Sequence, residues 1–178
     1  MNENRPKLII LNGPSGVGKS TVAARLHDEM PLSLLVDIDM ARKQISNHRE
    51  YRKESLALAY EHALAVVESH LKSGNSVIVD KAIVSAPAVL ESLVDLGEKY
   101  DADVHEFILM ASKEIVLQRA HSRGFREKSL LTPQKAEEIW EKAATTEKLR
   151  HNATVIDTNK MDADAVYEEV KKVIHQIS

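Results

Sequence analysis

One segment near the start of the chain, Gly13–Ser20, constrains the fold more than any other sequence feature. Its sequence, GPSGVGKS, fits the pattern G-x-x-x-x-G-K-[ST], and it lies between an apolar run, Leu8–Leu11, and a predicted helix, Thr21–Met30. The glycines let the backbone turn so that successive N–H groups point inward, and the helix places its positive end at the same point. A strand, a glycine-rich turn and a helix in this order predict an anion-binding turn in a parallel α/β sheet.

Four further short apolar runs predict the remaining strands of a five-stranded sheet. They are Leu34–Val36, Val77–Val79, His105–Leu109 and Thr154–Ile156. Between them lie longer segments in which apolar residues recur at steps of three and four, as in Leu56–Leu71, and this spacing is typical of helices. Strands that alternate with helices predict parallel pairing and a three-layer α/β domain.

The composition of the 178 residues narrows the class of protein. An apolar content of 43% suits one domain that covers residues 1–178, and we find no linker. The formal net charge of −3 argues against long nucleic acid as a partner, although binding of a short nucleic-acid end is not excluded. The absence of cysteine excludes disulfides, thiolate metal sites and cysteine nucleophiles. The first apolar run is too short for a signal peptide or a membrane span, so we expect a cytoplasmic protein.

The segment Gly13–Ser20 predicts a nucleoside triphosphate as ligand, namely ATP with Mg²⁺. Lys19 is expected to reach the β- and γ-phosphates, and the Ser20 hydroxyl is expected to bind Mg²⁺. The other predicted nucleotide contacts come from the turn and the first residue of the predicted helix: Gly13, Pro14, Ser15, Gly16, Val17, Gly18 and Thr21. The alternative is a glycine-rich turn without a ligand, and the agreement of spacing with context argues against it.

Acidic residues follow the second and third predicted strands: Asp37 and Asp39 follow the second, and Asp80 follows the third. Ligands of open α/β sheets collect at the carboxyl ends of strands, and side chains two apart on a strand share a face. We therefore expect these carboxylates in one site, where one could hold a metal-bound water and another could accept a proton. A helix cap at Asp39 and a surface turn at Asp80 stay open as alternatives. Arg42, one turn further on, could bind an anionic or polar substrate or pair with Asp39.

A cationic segment after the fourth strand's helix predicts a lid at about residues 119–132. Arg119 and Arg123 lie four apart, on one face of a helix, and Gly124 is a candidate hinge. Phosphoryl transfer builds charge on the equatorial oxygens, which arginines that close after binding can stabilise. Each arginine alone could be a solvated helix residue, but the cluster favours a lid.

The segment after the fifth strand is a candidate contact for the nucleotide base, and Thr158 is the residue assigned to it. Directly beyond, Asn159–Asp162 fits the guanine-binding pattern N-K-x-D letter by letter. This stretch lies one strand too late for a GTPase, and the expected switch motifs are not evident. ATP is therefore predicted ahead of GTP.

The order of these motifs resembles that of the small P-loop kinases. This group includes gluconate, shikimate and adenylylsulfate kinases, chloramphenicol phosphotransferase, the zeta-toxin kinases and the 5′-hydroxyl polynucleotide kinases. The resemblance covers nearly the whole chain and implies the P-loop nucleoside triphosphate hydrolase fold. It implies that Asp39 is the general base or the anchor of the acceptor hydroxyl, and that Asp37 lies close to Mg²⁺. It also implies that Arg42 and Asp80 contact the acceptor and that the two lid arginines serve the phosphates.

Two departures from the group's patterns narrow the acceptor. Lys81 and Ala82 stand where polynucleotide kinases have Thr-Asn, and Ile38 stands where adenylylsulfate and gluconate kinases have glycine. The acceptors of those enzymes are therefore not favoured. Residues 43–71 are expected to wall the acceptor pocket, but they carry no specific chemistry.

The predicted function is an ATP-dependent kinase that transfers the γ-phosphoryl group to a hydroxyl of a small molecule. Asp39 would activate the acceptor, while Lys19, Mg²⁺ and the lid arginines stabilise charge. A nucleoside monophosphate kinase is the second alternative, and Arg42, Arg49 and Arg52 supply a loose version of the arginine set that it needs. The third is a nucleotide-dependent switch that binds a protein partner, and the absence of an obvious exposed apolar segment weighs against it.

Overall fold

The computed structural model describes residues 5–81, 86–122 and 132–177. The strands are β1 (Lys7–Asn12), β2 (Leu34–Asp37), β3 (Val77–Asp80), β4 (Asp103–Met110) and β5 (Thr154–Asp157). The helices are α1 (Lys19–Glu29), α2 (Ile38–Lys43), α3 (Arg52–Lys72), α4 (Pro87–Lys99), α5 (Lys113–Ser122), α6 (Pro133–Leu149) and α7 (Ala163–Ile177). None of the described helices is long and apolar enough to span a membrane.

The five strands form one parallel sheet in the order β2-β3-β1-β4-β5. The predicted five-stranded parallel sheet is therefore confirmed, and each strand is only one to three residues longer than its apolar run. Strand β1 lies at the centre, and Leu8–Leu11 are fully buried, as expected for a strand that is covered on both faces. Because all strands are parallel, their carboxyl ends lie at one edge of the sheet.

Helices cover both faces of the sheet, which confirms the three-layer prediction. Alternate residues of β1 point to opposite faces. Ile9 and Leu11 pack with residues of α1 and α7, whereas Leu8 and Ile10 pack with residues of α3 and α4. Helix α6 packs on β4 through a smaller apolar cluster. The apolar cluster around Ile9 and Leu11 and the one around Leu8 and Ile10 hold the helices in place on the two faces of the sheet.

Two helices near this edge follow from local sequence signals. In α3 the residues Ala59, Ala63, Val67 and Leu71 are buried, at the spacing of one face of a helix. Helix α6 begins at Pro133, and the Thr132 hydroxyl accepts a hydrogen bond from the Lys135 N–H at 3.2 Å. This N-cap fixes where α6 starts.

Candidate active site

The anion-binding turn connects β1 to α1 at the carboxyl end of the central strand. Gly13 has a φ of 127°, and a Cβ at this position would lie 2.1 Å from the carbonyl oxygen of Leu109 in β4. Only glycine fits such a close passage. Helix α1 begins two residues earlier than predicted, so Lys19 and Ser20 lie in its first turn, where backbone N–H groups have no partner within the helix. The turn thus has the geometry that binds phosphate.

Most of the residues predicted to contact the nucleotide at the turn line a cavity beside it. The Lys19 Nζ donates a hydrogen bond to the Pro14 carbonyl oxygen at 2.7 Å, which holds the amine over the turn. Gly13 and Pro14 are buried and line neither of the cavities beside the turn, and Val17 is buried in the core with 1% exposure. The residues that line cavities beside the turn are Ser15, Gly16, Val17, Gly18, Lys19, Ser20 and Thr21.

Asp80 ends β3 and is buried, with 8% exposure, so the surface-turn alternative for it is wrong. It lies level with Asp37 of the neighbouring strand β2. Burial raises the pKa of the Asp80 carboxyl, and the charges of Asp37 and Asp39 act in the same direction. A hydrogen bond with the Ser20 hydroxyl and the charge of Lys19 oppose this rise in pKa. The Asp80 carboxyl therefore lies beside the residue predicted to bind Mg²⁺.

Helix α2 begins directly after β2, and this changes the predicted arrangement of Asp37 and Asp39. The Asp37 Oδ1 accepts a hydrogen bond from the Met40 N–H at 2.9 Å and caps the helix. Capping was the alternative for Asp39, but the structure gives this role to Asp37. Asp39 lies in the first turn of α2, so the prediction that both carboxylates share one face of a strand is wrong. Both nevertheless line the same cavity.

Asp39 forms an ion pair with Lys81, the residue after β3. The Asp39 side chain is 59% exposed and the Lys81 side chain is 11% exposed. The pair places a hydrogen-bond acceptor beside a donor on the cavity wall. A hydroxyl group can donate to the first and accept from the second. No sequence signal predicts that Lys81 pairs with Asp39.

Arg42 lines the same cavity and also ties α2 to the start of α3. Its Nε donates to the Ser55 hydroxyl at 3.1 Å, and its Nη2 donates to the Arg52 carbonyl oxygen at 2.6 Å. The alternative pairing of Arg42 with Asp39 is therefore not formed. The Arg52 side chain binds the Arg49 carbonyl oxygen at 3.2 Å, and neither of these two arginines lines the cavity. In the described part of the chain, Arg42, Arg49 and Arg52 therefore do not converge on one anion site.

The cavity that these residues line, here called the acceptor cavity, has a volume of about 650 Å³. It lies between the turn, the ends of β2 and β3, and three helices. Leu56 and Tyr60 of α3 belong to the segment that was expected to wall the acceptor. Helix α6 contributes three residues that sequence reasoning missed: Lys135, Ile139 and Lys142. Their spacing of four and three predicts one helix face, but no sequence signal shows that this face turns to the cavity.

A second cavity, of about 560 Å³, lies on the other side of the turn and is here called the nucleotide cavity. Arg119 of α5 lines it, and its guanidinium is held by the segment after β5. The Arg119 Nη2 donates to the Thr158 carbonyl oxygen at 2.9 Å, and its Nη1 donates to the Thr158 hydroxyl at 3.3 Å. The same Nη1 lies 3.5 Å from the Gly16 carbonyl oxygen. Arg119 is therefore placed next to the anion-binding turn by hydrogen bonds from two sides.

The predicted lid is described only at its start. Arg119–Ser122 form the last turn of α5. Arg123, the second predicted lid arginine, lies outside the described residues, as do residues 124–131.

Thr158 does not line the nucleotide cavity, which corrects its predicted contact with the nucleotide. The residue is fully buried, and its hydroxyl donates to the Met110 carbonyl oxygen at 3.0 Å. Because the same hydroxyl accepts a hydrogen bond from Arg119, Thr158 positions this arginine.

Asn159 and Asp162 of the N-K-x-D stretch have partners within the fold. The Asn159 Oδ1 accepts a hydrogen bond from the Ser112 N–H at 2.7 Å. The Asp162 Oδ1 accepts one from the Ala165 N–H at 2.8 Å, in the first turn of α7. These bonds give the stretch a structural role that does not require guanine.

The donors available for a metal ion are oxygens at the ends of β2 and β3 and in the first turn of α1. Within residues 5–81, 86–122 and 132–177, no group of three or more His, Asp or Glu side chains is arranged to hold a metal ion. Mg²⁺ is usually bound by one or two carboxylates together with substrate phosphates and waters. The Ser20 hydroxyl next to the Asp80 carboxyl, with Asp37 nearby, fits that pattern.

Comparisons with known proteins show which folds this chain resembles. A guanylate kinase from Streptomyces kasugaensis is 29% identical in an alignment 181 positions long, which covers 89% of this chain and 83% of that protein. A gluconokinase from Sinorhizobium meliloti 1021 superposes with a TM-score of 0.68 at 16% identity, over 98% of this chain and 95% of the other. Thymidylate kinase from Candida albicans also gives a TM-score of 0.68, at 14% identity, over 97% and 92%. The predicted P-loop fold and the resemblance to small P-loop kinases are confirmed.

The sequence profile of one protein family matches most of the chain. The family is described as an AAA domain, and the match covers residues 8–149, from β1 to the end of α6. This range contains the anion-binding turn, the three carboxylates and Arg119. The chain therefore belongs to the AAA domain family.

Proposed function

We propose that the protein is an ATP-dependent kinase that transfers the γ-phosphoryl group to a hydroxyl of a small molecule. The observation that carries this proposal is that the Asp39–Lys81 pair lines one cavity together with Lys19 and Ser20 of the turn. A phosphate-binding turn and a carboxylate that can take a proton, held in one cavity, supply both halves of a phosphotransferase. The relative and the two solved kinases support kinase chemistry.

The nucleotide is proposed to lie across the turn, with its base in the nucleotide cavity beside Arg119. ATP is preferred over GTP because the Asn159 side chain, which the guanine pattern requires, is held by the Ser112 N–H and does not line the nucleotide cavity. Ser20, Asp80 and Asp37 would hold Mg²⁺. When bound, this ion supplies positive charge to the phosphate oxygens.

The acceptor hydroxyl is proposed to lie between Asp39 and Lys81. Asp39 takes the hydroxyl proton as the acceptor oxygen bonds to the γ-phosphorus and the bond to the bridging β–γ oxygen breaks, so that ADP leaves. Lys19 exchanges its bond to Pro14 for the phosphate oxygens, and Arg119 adds positive charge beside the turn. Arg42 and Asp80, which line the same cavity, are the proposed further contacts to the acceptor.

A nucleoside monophosphate kinase is the second candidate, and the guanylate kinase relative favours it. Its acceptor would be a phosphate group rather than a hydroxyl. Two of the Arg42 donors are already bonded to Ser55 and Arg52, so the arginine expected to hold such a phosphate is partly occupied. The exposed Asp39 carboxylate in this cavity would repel a phosphate oxygen as nucleophile but can take the proton of a hydroxyl, so the hydroxyl acceptor is the better fit at the point of transfer.

Replacing Asp39 by asparagine tests the proposed base. We expect kcat for the acceptor to fall about 10²- to 10⁴-fold, because asparagine cannot take the hydroxyl proton. The KM for ATP should not change. The measurement is acceptor-dependent ADP formation across a panel of sugars, sugar acids, nucleosides, nucleotides and antibiotics.

The matched control is Asp95→Asn, an exposed residue of α4 that lines neither the acceptor cavity nor the nucleotide cavity. It should behave as the wild type. Full transfer by Asp39→Asn to an acceptor that the wild type phosphorylates would show that Asp39 is not the base.

A further inference from the structure

The acceptor cavity has a cationic wall that transfer to a hydroxyl does not use. Among the described residues, six cationic and three anionic side chains line this cavity, in a chain whose net charge is −3. Three of the cations have another role. Lys19 is assigned to the phosphates, Lys81 forms an ion pair with Asp39, and Arg42 donates a hydrogen bond to the Ser55 hydroxyl. The other three are Lys43, Lys135 and Lys142.

These lysines come from two helices that both contribute to the cavity wall. Lys43 follows Asp39 by four residues on α2, so the two share one face of the helix. Lys135 and Lys142 lie seven residues apart on α6, which also places them on one face. Lys135 pairs with Glu138 at 2.8 Å, an exposed pair that contributes little to stability and can open to admit a ligand. Lys142 forms no ion pair within the part of the chain that the structure describes.

Apolar side chains line the same cavity. Leu56 and Tyr60 come from α3, and Ile139 lies between the two lysines of α6. The lining therefore combines a polar pair for a hydroxyl, an apolar surface and more cationic than anionic side chains. A ligand that matches all three is an organic anion with a free hydroxyl and an apolar face.

We infer that the acceptor carries a carboxylate or phosphate group that binds to Lys135 and Lys142, while its hydroxyl lies at Asp39 and Lys81. This inference rests on the proposed function and adds the chemical class of the substrate. Lys43 adds positive charge from the α2 side of the cavity. A neutral molecule of the same shape would form no ion pair with these lysines and would bind more weakly.

The test uses matched acceptors that differ only in the anionic group: a sugar, its sugar acid and its sugar phosphate, and a nucleoside with its monophosphate. Transfer to each is measured with the wild type, Lys135→Gln, Lys142→Gln and the double variant. Lys148→Gln is the control, because Lys148 is exposed on the same helix and does not line the acceptor cavity. All of these side chains are exposed, so the variants should fold.

For the wild type, we expect kcat/KM to be at least about 10-fold higher for an anionic acceptor than for its neutral partner. The double variant should lose this preference through a higher KM for the acceptor, with an unchanged KM for ATP. Lys148→Gln should match the wild type. Added salt should raise the KM for the anionic acceptor in the wild type more than in the double variant. The anionic group that the site prefers is that of whichever acceptor, the sugar acid or the sugar phosphate, has the higher kcat/KM.

Equal use of neutral and anionic acceptors by the wild type would overturn the inference and leave the kinase proposal standing. The same holds if the double variant lowers transfer to both members of a pair by the same factor. If the wild type phosphorylates no member of the panel, the proposed function fails, and the inference fails with it.

Discussion

Replacing Lys19 by alanine should lower kcat/KM for phosphoryl transfer by about 10²- to 10³-fold. The Lys19 Nζ is held over the turn by the Pro14 carbonyl oxygen, within reach of the phosphates that the turn would bind. Because alanine is a good helix former, α1 should keep its first turn, and the variant should remain folded. The measurement is acceptor-dependent ADP formation, together with thermal unfolding of the variant.

The control for this prediction is Lys72→Ala, at the exposed end of α3. It removes the same charge from the protein without touching the turn, and it should keep wild-type activity. If Lys19→Ala retained more than about a tenth of the wild-type kcat/KM, its amine would not be a phosphate ligand of the kind proposed.

Replacing Gly13 by alanine should lower the free energy of unfolding by about 3 kcal/mol or more. The added Cβ would lie 2.1 Å from the Leu109 carbonyl oxygen. That atom belongs to the backbone of β4, which is bonded to strands on both sides and cannot move away without breaking the sheet. The φ of 127° adds backbone strain for any residue with a side chain. Chemical denaturation measures the loss.

Gly74→Ala is the matched control, because Gly74 also has a positive φ, of 77°. A Cβ there would meet no atom within 4 Å, so only backbone strain remains, at a cost of about 1 kcal/mol. Equal losses of stability in the two variants would show that the close passage along β4 does not determine the choice of glycine at residue 13.

The sheet and the turn could be predicted because their signals are local. The run Leu8–Leu11 is apolar throughout, as a strand buried on both faces must be. The spacing of the glycines after it is that of an anion-binding turn. Asp80 could also be placed, since it ends a predicted strand and parallel strands end at one edge of the sheet. These assignments depend on short sequence windows and on the parallel topology alone.

The roles of Asp37 and Asp39 could not be assigned, because they depend on where β2 ends. The carboxylate that accepts the Met40 N–H becomes the cap, and a shift of two residues would exchange the two roles. The role of Thr158 also depends on a feature that local sequence does not show. Its hydroxyl turns inward to the Met110 carbonyl oxygen, a contact between segments far apart in sequence.

The cationic wall formed by α6 was missed because helical spacing shows which residues share a face, but not what that face contacts. The orientation of α6 depends on its packing against β4 through Ile108, Met110 and Ala143. It also depends on the ion pair of Arg150, beyond the end of α6, with the buried Glu106 of β4 at 2.6 Å. Both are contacts over long distances in sequence. They turn Lys135 and Lys142 toward the acceptor cavity.

The bond formed in the product tests the proposed kinase most directly. Phosphorus NMR of a reaction with ATP, Mg²⁺ and an accepted substrate should show one new phosphate monoester for each ADP released. A new phosphoanhydride instead would contradict transfer to a hydroxyl and establish a nucleoside monophosphate kinase. Release of inorganic phosphate at a rate that no acceptor changes would contradict phosphoryl transfer to any acceptor.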